Sequence, residues 1–178
     1  MEHIPALITV RTQSKRLKEK CLLSFGKNRI IEHIIERAKY KSIFPVICTT
    51  HEKSDDIICQ IAEKKNIPFY RGSTINKLDR WLKCAENFGF KSFTTIDADD
   101  PFFCPDEVVR SYEFLISNNF DIVEPYNSSS SGSGMVGYSL KTSLIRKSIQ
   151  YLPIDTDTEM GWTFLKTEKK ENNIKLSP

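Results

Sequence analysis

The strongest constraint on this chain is an alternation of two hydrophobic periods along its length. Short apolar runs bounded by polar turns alternate with stretches whose apolar residues recur every three or four positions. Ile4–Val10 reads as a buried strand. Residues 29–40 place Ile30, Ile31, Ile34, Ile35 and Ala38 on one helical face, with Glu32, Glu36, Arg37 and Lys39 largely opposite. Val46–Thr50 is a second strand, and Ser54, Asp55 and Asp56 open a second helix as a hydroxyl cap and an acidic first turn. Its core face is Ile57, Ile58, Ile61 and Ala62. Ile67–Tyr70 is a third strand, and residues 75–88 form a third helix carrying Leu78, Trp81, Leu82 and Ala85, stopped by Gly89. Phe93–Ile96 is a fourth strand, followed by a helix from Pro105 to about Ser117 that Asn118–Asn119 ends. Asp121–Glu124 and Met135–Leu140 complete the strands, and residues 143–151 and 159–167 are helical.

Strand followed by helix with short connections predicts a three-layer α/β/α sandwich around a mainly parallel sheet. At 178 residues the chain is long enough to bury its own core. One domain over residues 1–168 with a polar tail at 169–178 is the expected organisation, and the Ser- and Gly-rich Asn127–Gly134 reads as a surface loop or a mobile loop beside a site. A net charge of +3, spread along the chain, does not make a nucleic-acid footprint. No run approaches the ~18 apolar residues of a membrane span, and Arg11 ends the first apolar run too early for a secretory segment. The five cysteines (Cys21, Cys48, Cys59, Cys84 and Cys104) are odd in number, with no pair closer than eleven residues. That spacing argues against a zinc site or a disulfide framework and for reduced, buried thiols in a cytoplasm.

In an open parallel sheet, ligands bind beyond the carboxyl ends of the strands. After the first strand, Arg11–Lys20 carries five cations in ten residues: Arg11, Lys15, Arg16, Lys18 and Lys20. After the second come Thr49, Thr50 and His51, and after the third Arg71-Gly72-Ser73. After the fourth comes Asp97-Ala98-Asp99-Asp100-Pro101. Cations opposite carboxylates suit a polyphosphate whose metal ion bridges protein and phosphates. Arginine clamps phosphate oxygens with paired N–H groups, and lysine acts as a point charge. A Walker-type loop is absent, since Gly26-Lys27 is followed by Asn28.

Three aspartates within four positions repel one another and call for a counter-cation, a raised pKa or solvent. Mg2+ takes one or two carboxylates and keeps phosphate oxygens and water. Strand alternation puts Asp97 and Asp99 on one side and Asp100 on the other, with Asp99 as the first metal ligand. The plainer alternative is that Asp100-Pro101 only makes a turn. Asp155, Asp157 and Glu159 either cap the last helix or supply a second metal ligand in Asp157. His33 falls mid-helix among glutamates on the solvent side, and only His51 stands at a strand end.

These segments together resemble the cytidylyltransferase family, including its spore-coat-polysaccharide type and the synthetases that activate sialic and Kdo-type sugar acids. Ala6-Leu-Ile-Thr-Val-Arg11-Thr-Gln-Ser14-Lys15-Arg16-Leu17-Lys-Glu-Lys20 resembles the opening signature ARxGSxRLPGK. Val46–Thr50 with Asp55-Asp56-Ile57-Ile58 resembles the second strand and its ATS…DDxI continuation. Arg71-Gly72-Ser73 with Leu78-Asp79-Arg80 resembles RGS…VLDRY, and Ile96-Asp97-Ala98-Asp99-Asp100-Pro101 resembles ITGDCPL.

The resemblance implies a nucleotide-diphospho-sugar-transferase fold and CTP-dependent activation of a sugar, sugar acid or related small acceptor in polysaccharide biosynthesis. It implies a homodimer as the family's common state. Arg11 and Lys20 would hold the triphosphate and Asp99 a Mg2+ ion, with Asp97 or Asp157 as further ligand. Ser14, Lys15, Arg16, Arg71 and Ser73 would lie around the cytidine and phosphates. The chain departs from the signature where Gln13 replaces its glycine and Lys18-Glu19 its Pro-Gly. Two rivals stay open: a glycosyltransferase, because Asp97-Ala98-Asp99 is a DxD motif, and a non-catalytic nucleotide-binding module.

Overall fold

The computed structural model describes residues 3–14, 17–40, 42–124 and 137–152. Among them, six strands form one sheet: β1 (Ile4–Thr9), β4 (Ile43–Thr50), β5 (Phe69–Gly72), β6 (Ser92–Asp97), β7 (Ile122–Val123) and β8 (Ser139–Lys141). A short antiparallel hairpin pairs β2 (Ser24–Phe25) with β3 (Asn28–Arg29). The helices are α1 (Ile30–Ala38), α2 (Asp56–Lys64), α3 (Lys77–Asn87), α4 (Pro105–Ser117) and α5 (Thr142–Ile149). The sheet order is β5-β4-β1-β6-β8-β7, parallel except for β8, which runs against both neighbours.

Alternation along the central strands builds a core on each face. Ala6, Ile8 and Ile47 meet Ile31, Ile34 and Ile35 of α1, Ile58 and Ile61 of α2, and Val108 of α4. Leu7, Val46 and Cys48 meet Leu78, Trp81, Leu82 and Ala85 of α3, and Leu144 and Ile145 of α5. Burial on both faces is why these strands read as continuous apolar runs. Each fully buried Ile or Leu contributes about 1.5–3 kcal/mol. Here β1 is buried from Ile4 through Ile8.

Several boundaries differ from the sequence reading. β4 begins at Ile43 and runs through Pro45. The Ile47 N–H points toward β5, onto Pro68 O at 2.9 Å, so the nitrogen of Pro45 faces the same side below the point where β5 begins pairing. The ladder loses no bond there. β5 starts two residues later than expected because Asn66, at φ 52°, closes α2 and the Ile67 N–H returns to Ala62 O. β8 starts at Ser139, and before it Gly137 passes so close to Thr95 that a Cβ would collide with the Thr95 carbonyl. The expected helix over 159–167, the Asn127–Gly134 loop, Met135 and the tail from Lys169 lie outside the described residues. No helix among the described residues is long and apolar enough to cross a membrane.

The chain first moves outward from β1 to β4 and β5, then crosses back to lay β6 on the other side of β1. That reversal opens a crevice at the carboxyl ends of β1 and β6. Thr9 and Asp97 are direct register partners at its base.

Candidate functional site

The loop leaving β1 folds back on itself at the crevice. The Thr12 carbonyl accepts from Ser14 N–H at 3.0 Å and Glu19 N–H at 2.8 Å. Glu19 adopts a left-handed backbone, φ 54°. This position corresponds to the glycine of the signature's Pro-Gly, so the conformation survives without the residue that adopts it most easily. Gln13 has no positive φ, so its side chain meets no such strain. The fold-back presents Lys20, whose Nζ donates to Asp99 Oδ2 across the crevice. The two are 79 residues apart in sequence.

The strand ends at Asp97, and residues 98–99 form a turn, so strand alternation does not govern the acidic cluster as the sequence reading assumed. Asp97, Asp99 and Asp100 instead go to three different partners. Asp97 Oδ1 accepts from Lys77 Nζ at 3.1 Å, Asp99 from Lys20, and Asp100 Oδ1 from Phe102 N–H at 3.2 Å. Two contacts from α1 hold this loop: His33 Nε2 lies 3.1 Å from Pro101 O, and Arg37 Nε donates to Phe103 O at 2.6 Å. His33 is therefore half-buried against the loop rather than on the solvent side.

Asp55 is a residue whose place sequence reasoning missed, having read it with Asp56 as the acidic first turn of α2. It stands at the N-cap position, but its side chain makes no capping bond; its carboxylate is 0% exposed and lies beneath the loop. Oδ1 accepts from Thr12 N–H at 2.8 Å and Thr12 Oγ1 at 2.7 Å. Oδ2 accepts from Thr49 Oγ1 at 3.1 Å, Thr50 N–H at 3.3 Å and Thr50 Oγ1 at 2.5 Å. Burial raises its pKa, but the Thr12, Thr50 and Thr49 donors outweigh burial and hold it below the ordinary value. One carboxylate thus ties the basic loop to the end of β4. The signal available was the Thr49-Thr50 pair, six and five residues upstream.

Arg71 and Ser73 stand on the adjoining edge. Arg71 donates to Thr50 O at 2.9 Å, Asp56 Oδ1 at 2.6 Å and Glu52 O at 2.7 Å, bracing the β4–α2 connection. Ser73 Oγ accepts the Asn76 N–H at 3.0 Å, and the Ser73 carbonyl accepts from Arg80 Nη1 at 2.5 Å. Arg11 Nη1 donates to the next carbonyl, Thr74 O, at 3.4 Å. Thr74 Oγ1 in turn donates to Glu52 Oε1 at 3.0 Å. Burial lowers the pKa of Arg80, and the neighbouring charge of Arg11 adds to it. Two guanidinium groups thus share one side of the site, an arrangement that an anion relieves.

Arg11, Lys20, Asp97 and Asp99 gather at the crevice, Ser14 is half-buried in the folded loop, and Arg71 and Ser73 flank it. Lys15, Arg16 and Asp157 lie outside the described residues. Asp97 and Asp99 offer exposed, hard carboxylate oxygens, a donor set suited to a Mg2+ ion that keeps phosphate oxygens and water. Among the described residues, no group of three or more His, Cys, Asp or Glu side chains is placed to hold a metal.

An uncharacterized protein of Methanocaldococcus jannaschii is 32% identical over 126 residues, covering 70% of this chain and 52% of that protein. The spore coat polysaccharide biosynthesis protein SpsF of Bacillus subtilis is 28% identical over 127 residues, covering 68% and 51%. The chain spans about half the length of both relatives. A solved cytidylyltransferase from Leptospira borgpetersenii superposes with a TM-score of 0.87 at 22% identity, covering 100% of this chain and 76% of that one. Its fold is shared, an α/β nucleotide-diphospho-sugar arrangement. The cytidylyltransferase family model matches residues 5–137, and the chain belongs to that family.

Proposed function

We propose that the crevice binds CTP and a small acceptor and transfers CMP to the acceptor with release of pyrophosphate. The acceptor class that fits the SpsF relative's name is a sugar or sugar acid activated for polysaccharide synthesis. The observation that carries the reading is the Lys20–Asp99 pair, which joins the basic loop to the acidic turn at the β1–β6 reversal.

An acceptor oxygen attacks the α-phosphorus of CTP, a hydroxyl acceptor giving up its proton to water, while the bond to the bridging oxygen breaks and pyrophosphate leaves with that electron pair. Such chemistry is mostly positioning and electrostatics. Arg11 and Lys20, with Lys15 and Arg16 from the same loop, neutralise the β- and γ-phosphates and steady the leaving group. Ser14, Arg71 and Ser73 shape the nucleotide side of the site, Arg71 by bracing the Thr50–Asp56 connection. Asp99 and Asp97 are the residues that would hold Mg2+, with Asp157 as a further ligand. When bound, the ion supplies additional charge neutralisation on the phosphates.

The test is a pyrophosphate-release screen of the four nucleoside triphosphates against sugars, sugar acids, polyols and phosphonates, with UDP- and GDP-sugars as competing ligands in thermal shift. CTP-dependent release with one acceptor class is the expected result. Stabilisation by nucleotide-sugars but not CTP sinks the proposal in favour of glycosyl transfer. CTP binding without release across the screen leaves a binding module.

A further inference from the structure

Two lysines, not one, stand on the carboxylates of the crevice. Besides Lys20 on Asp99, Lys77 Nζ lies 3.1 Å from Asp97 Oδ1. Lys77 is the first residue of α3, directly after the Asn76 side chain that caps the helix. A cation there faces the positive end of the helix dipole, so helix formation disfavours its position. What holds it is Trp81. The Lys77 ammonium sits 4.9 Å from the centre of the Trp81 ring, and that ring is fixed by its Nε1–H bond to Thr9 Oγ1 at 2.7 Å. The contact that ties α3 to the end of β1 therefore aims Lys77 at Asp97. In the signatures quoted above, the matching positions carry valine (VLDRY) and threonine (ITGDCPL). Here both are charged, and they are bonded to each other.

We propose that Lys77 is a positioning residue that acts as a counter-ion on Asp97 until a polyphosphate draws it away, so that divalent cation and nucleoside triphosphate enter as a pair. The inference rests on the nucleotide-binding reading above. Lys20 and Lys77 cancel the charges of Asp99 and Asp97. A divalent cation arriving alone meets an ammonium group already bonded to each carboxylate. Phosphate oxygens offer both lysines a more highly charged partner, and the carboxylates are released as the lysines turn to it. The coupling is reciprocal: nucleotide tightens metal by the factor that metal tightens nucleotide.

The test is Mn2+ binding to the full chain, followed by the electron paramagnetic resonance of the free ion, with and without α,β-methylene-CTP. In the parent protein the analogue tightens Mn2+ binding by about tenfold or more. Lys77→Met keeps an unbranched side chain of similar length and loses the charge. It binds Mn2+ alone roughly two- to fivefold tighter, the worth of one exposed ion pair, and its coupling factor shrinks to match. Lys77→Gln moves the same way, Lys77→Arg behaves like the parent, and adding Asp97→Asn to Lys77→Met abolishes the gain. A lysine that only packs α3 against β1 would leave Mn2+ affinity unchanged or weaker when removed. Unchanged or weaker Mn2+ affinity in both Lys77→Met and Lys77→Gln overturns the proposal, as does a gain that survives Asp97→Asn. If the analogue binds to no variant, the nucleotide reading fails separately, while the metal-only comparison still decides the role of Lys77.

Discussion

Replacing Asp55 with asparagine is the most demanding test of how the crevice is built. The carboxylate receives two backbone N–H groups and three hydroxyls while wholly buried. The amide nitrogen of asparagine cannot accept, so one of the two oxygen positions meets donors it repels. Hydrogen bonds to a charged group are worth about 1.5–3 kcal/mol each, and an orphaned buried donor costs about 1–3 kcal/mol. Hydroxyls can rotate toward other acceptors, so the sum falls well short of five full bonds. The expected loss is about 3 kcal/mol, a melting shift of roughly 6–12 °C for a domain of this size. Its pH dependence has a definite sign. The folded-state pKa lies below the ordinary 3.8, so the carboxylate's contribution is fully present above the unfolded value and disappears as pH falls through the folded one. The gap between parent and Asp55→Asn therefore stays constant from neutrality to about pH 5 and narrows below pH 4. Urea unfolding at a series of pH values measures it. A gap under about 0.5 kcal/mol at pH 7, or one that widens on acidification, refutes the account of Asp55 as an ionised staple.

Other substitutions separate chemistry from scaffold. Asp99→Ala should abolish magnesium-dependent pyrophosphate release from CTP while changing stability by no more than about 0.5 kcal/mol, since the side chain is 42% exposed; retained turnover removes Asp99 from the mechanism. Glu19→Gly relieves a left-handed backbone and should stabilise the fold by about 1 kcal/mol in denaturant titration; destabilisation would show that the Glu19 side chain does something the backbone does not. Burial pushes the Cys21 thiol up to about 11 and also raises Cys59, whereas Cys104 is half-buried. At pH 8 the native protein should therefore titrate one fast thiol with a disulfide reagent, and Cys104→Ser should remove that phase; a fast phase that persists contradicts the burial assignment.

The parts of the fold legible in the sequence were those where one local signal decided the outcome. Pro105 at the start of a helix and Asn118–Asn119 at its end fixed the bounds of α4 as observed, Pro105–Ser117. Where two signals competed, the tertiary one won. The second strand reads as Val46–Thr50, yet β4 begins at Ile43 and takes in Pro45, which stands in register with Ala6 of β1. Ser54-Asp55-Asp56 reads as a helix start, and the helix does start there, but Asp55 is claimed by hydroxyls from two other segments. The meeting of Lys20 and Asp99 was legible because parallel topology sends every strand's carboxyl end to one edge. Lys77 was not, because a lysine opening a helix ordinarily reads as solvated surface. Its partner is 20 residues away and its aim depends on an indole ring fixed from β1.

Carboxylates at this edge divide into two kinds, and the division explains which of them can do chemistry. Asp55 is 0% exposed and satisfied by five donors from three residues. Removing any one partner strands buried polar atoms, so it cannot exchange ligands during a reaction and is committed to holding the loop. Asp97 and Asp99 are 53% and 42% exposed at the side chain, and among the described residues each is bonded to a single lysine. Exposed pairs of that kind are worth about 0–1 kcal/mol, small enough for phosphate or a cation to break. The chain thus sets its rigid anion beneath the basic loop and its exchangeable anions across from it. The departures at Gln13 and Lys18-Glu19 fall on the loop between the two. Since Asp55 fixes that loop through Thr12 and the Glu19 N–H returns to Thr12 O, its path is set by hydrogen bonds that do not depend on a glycine.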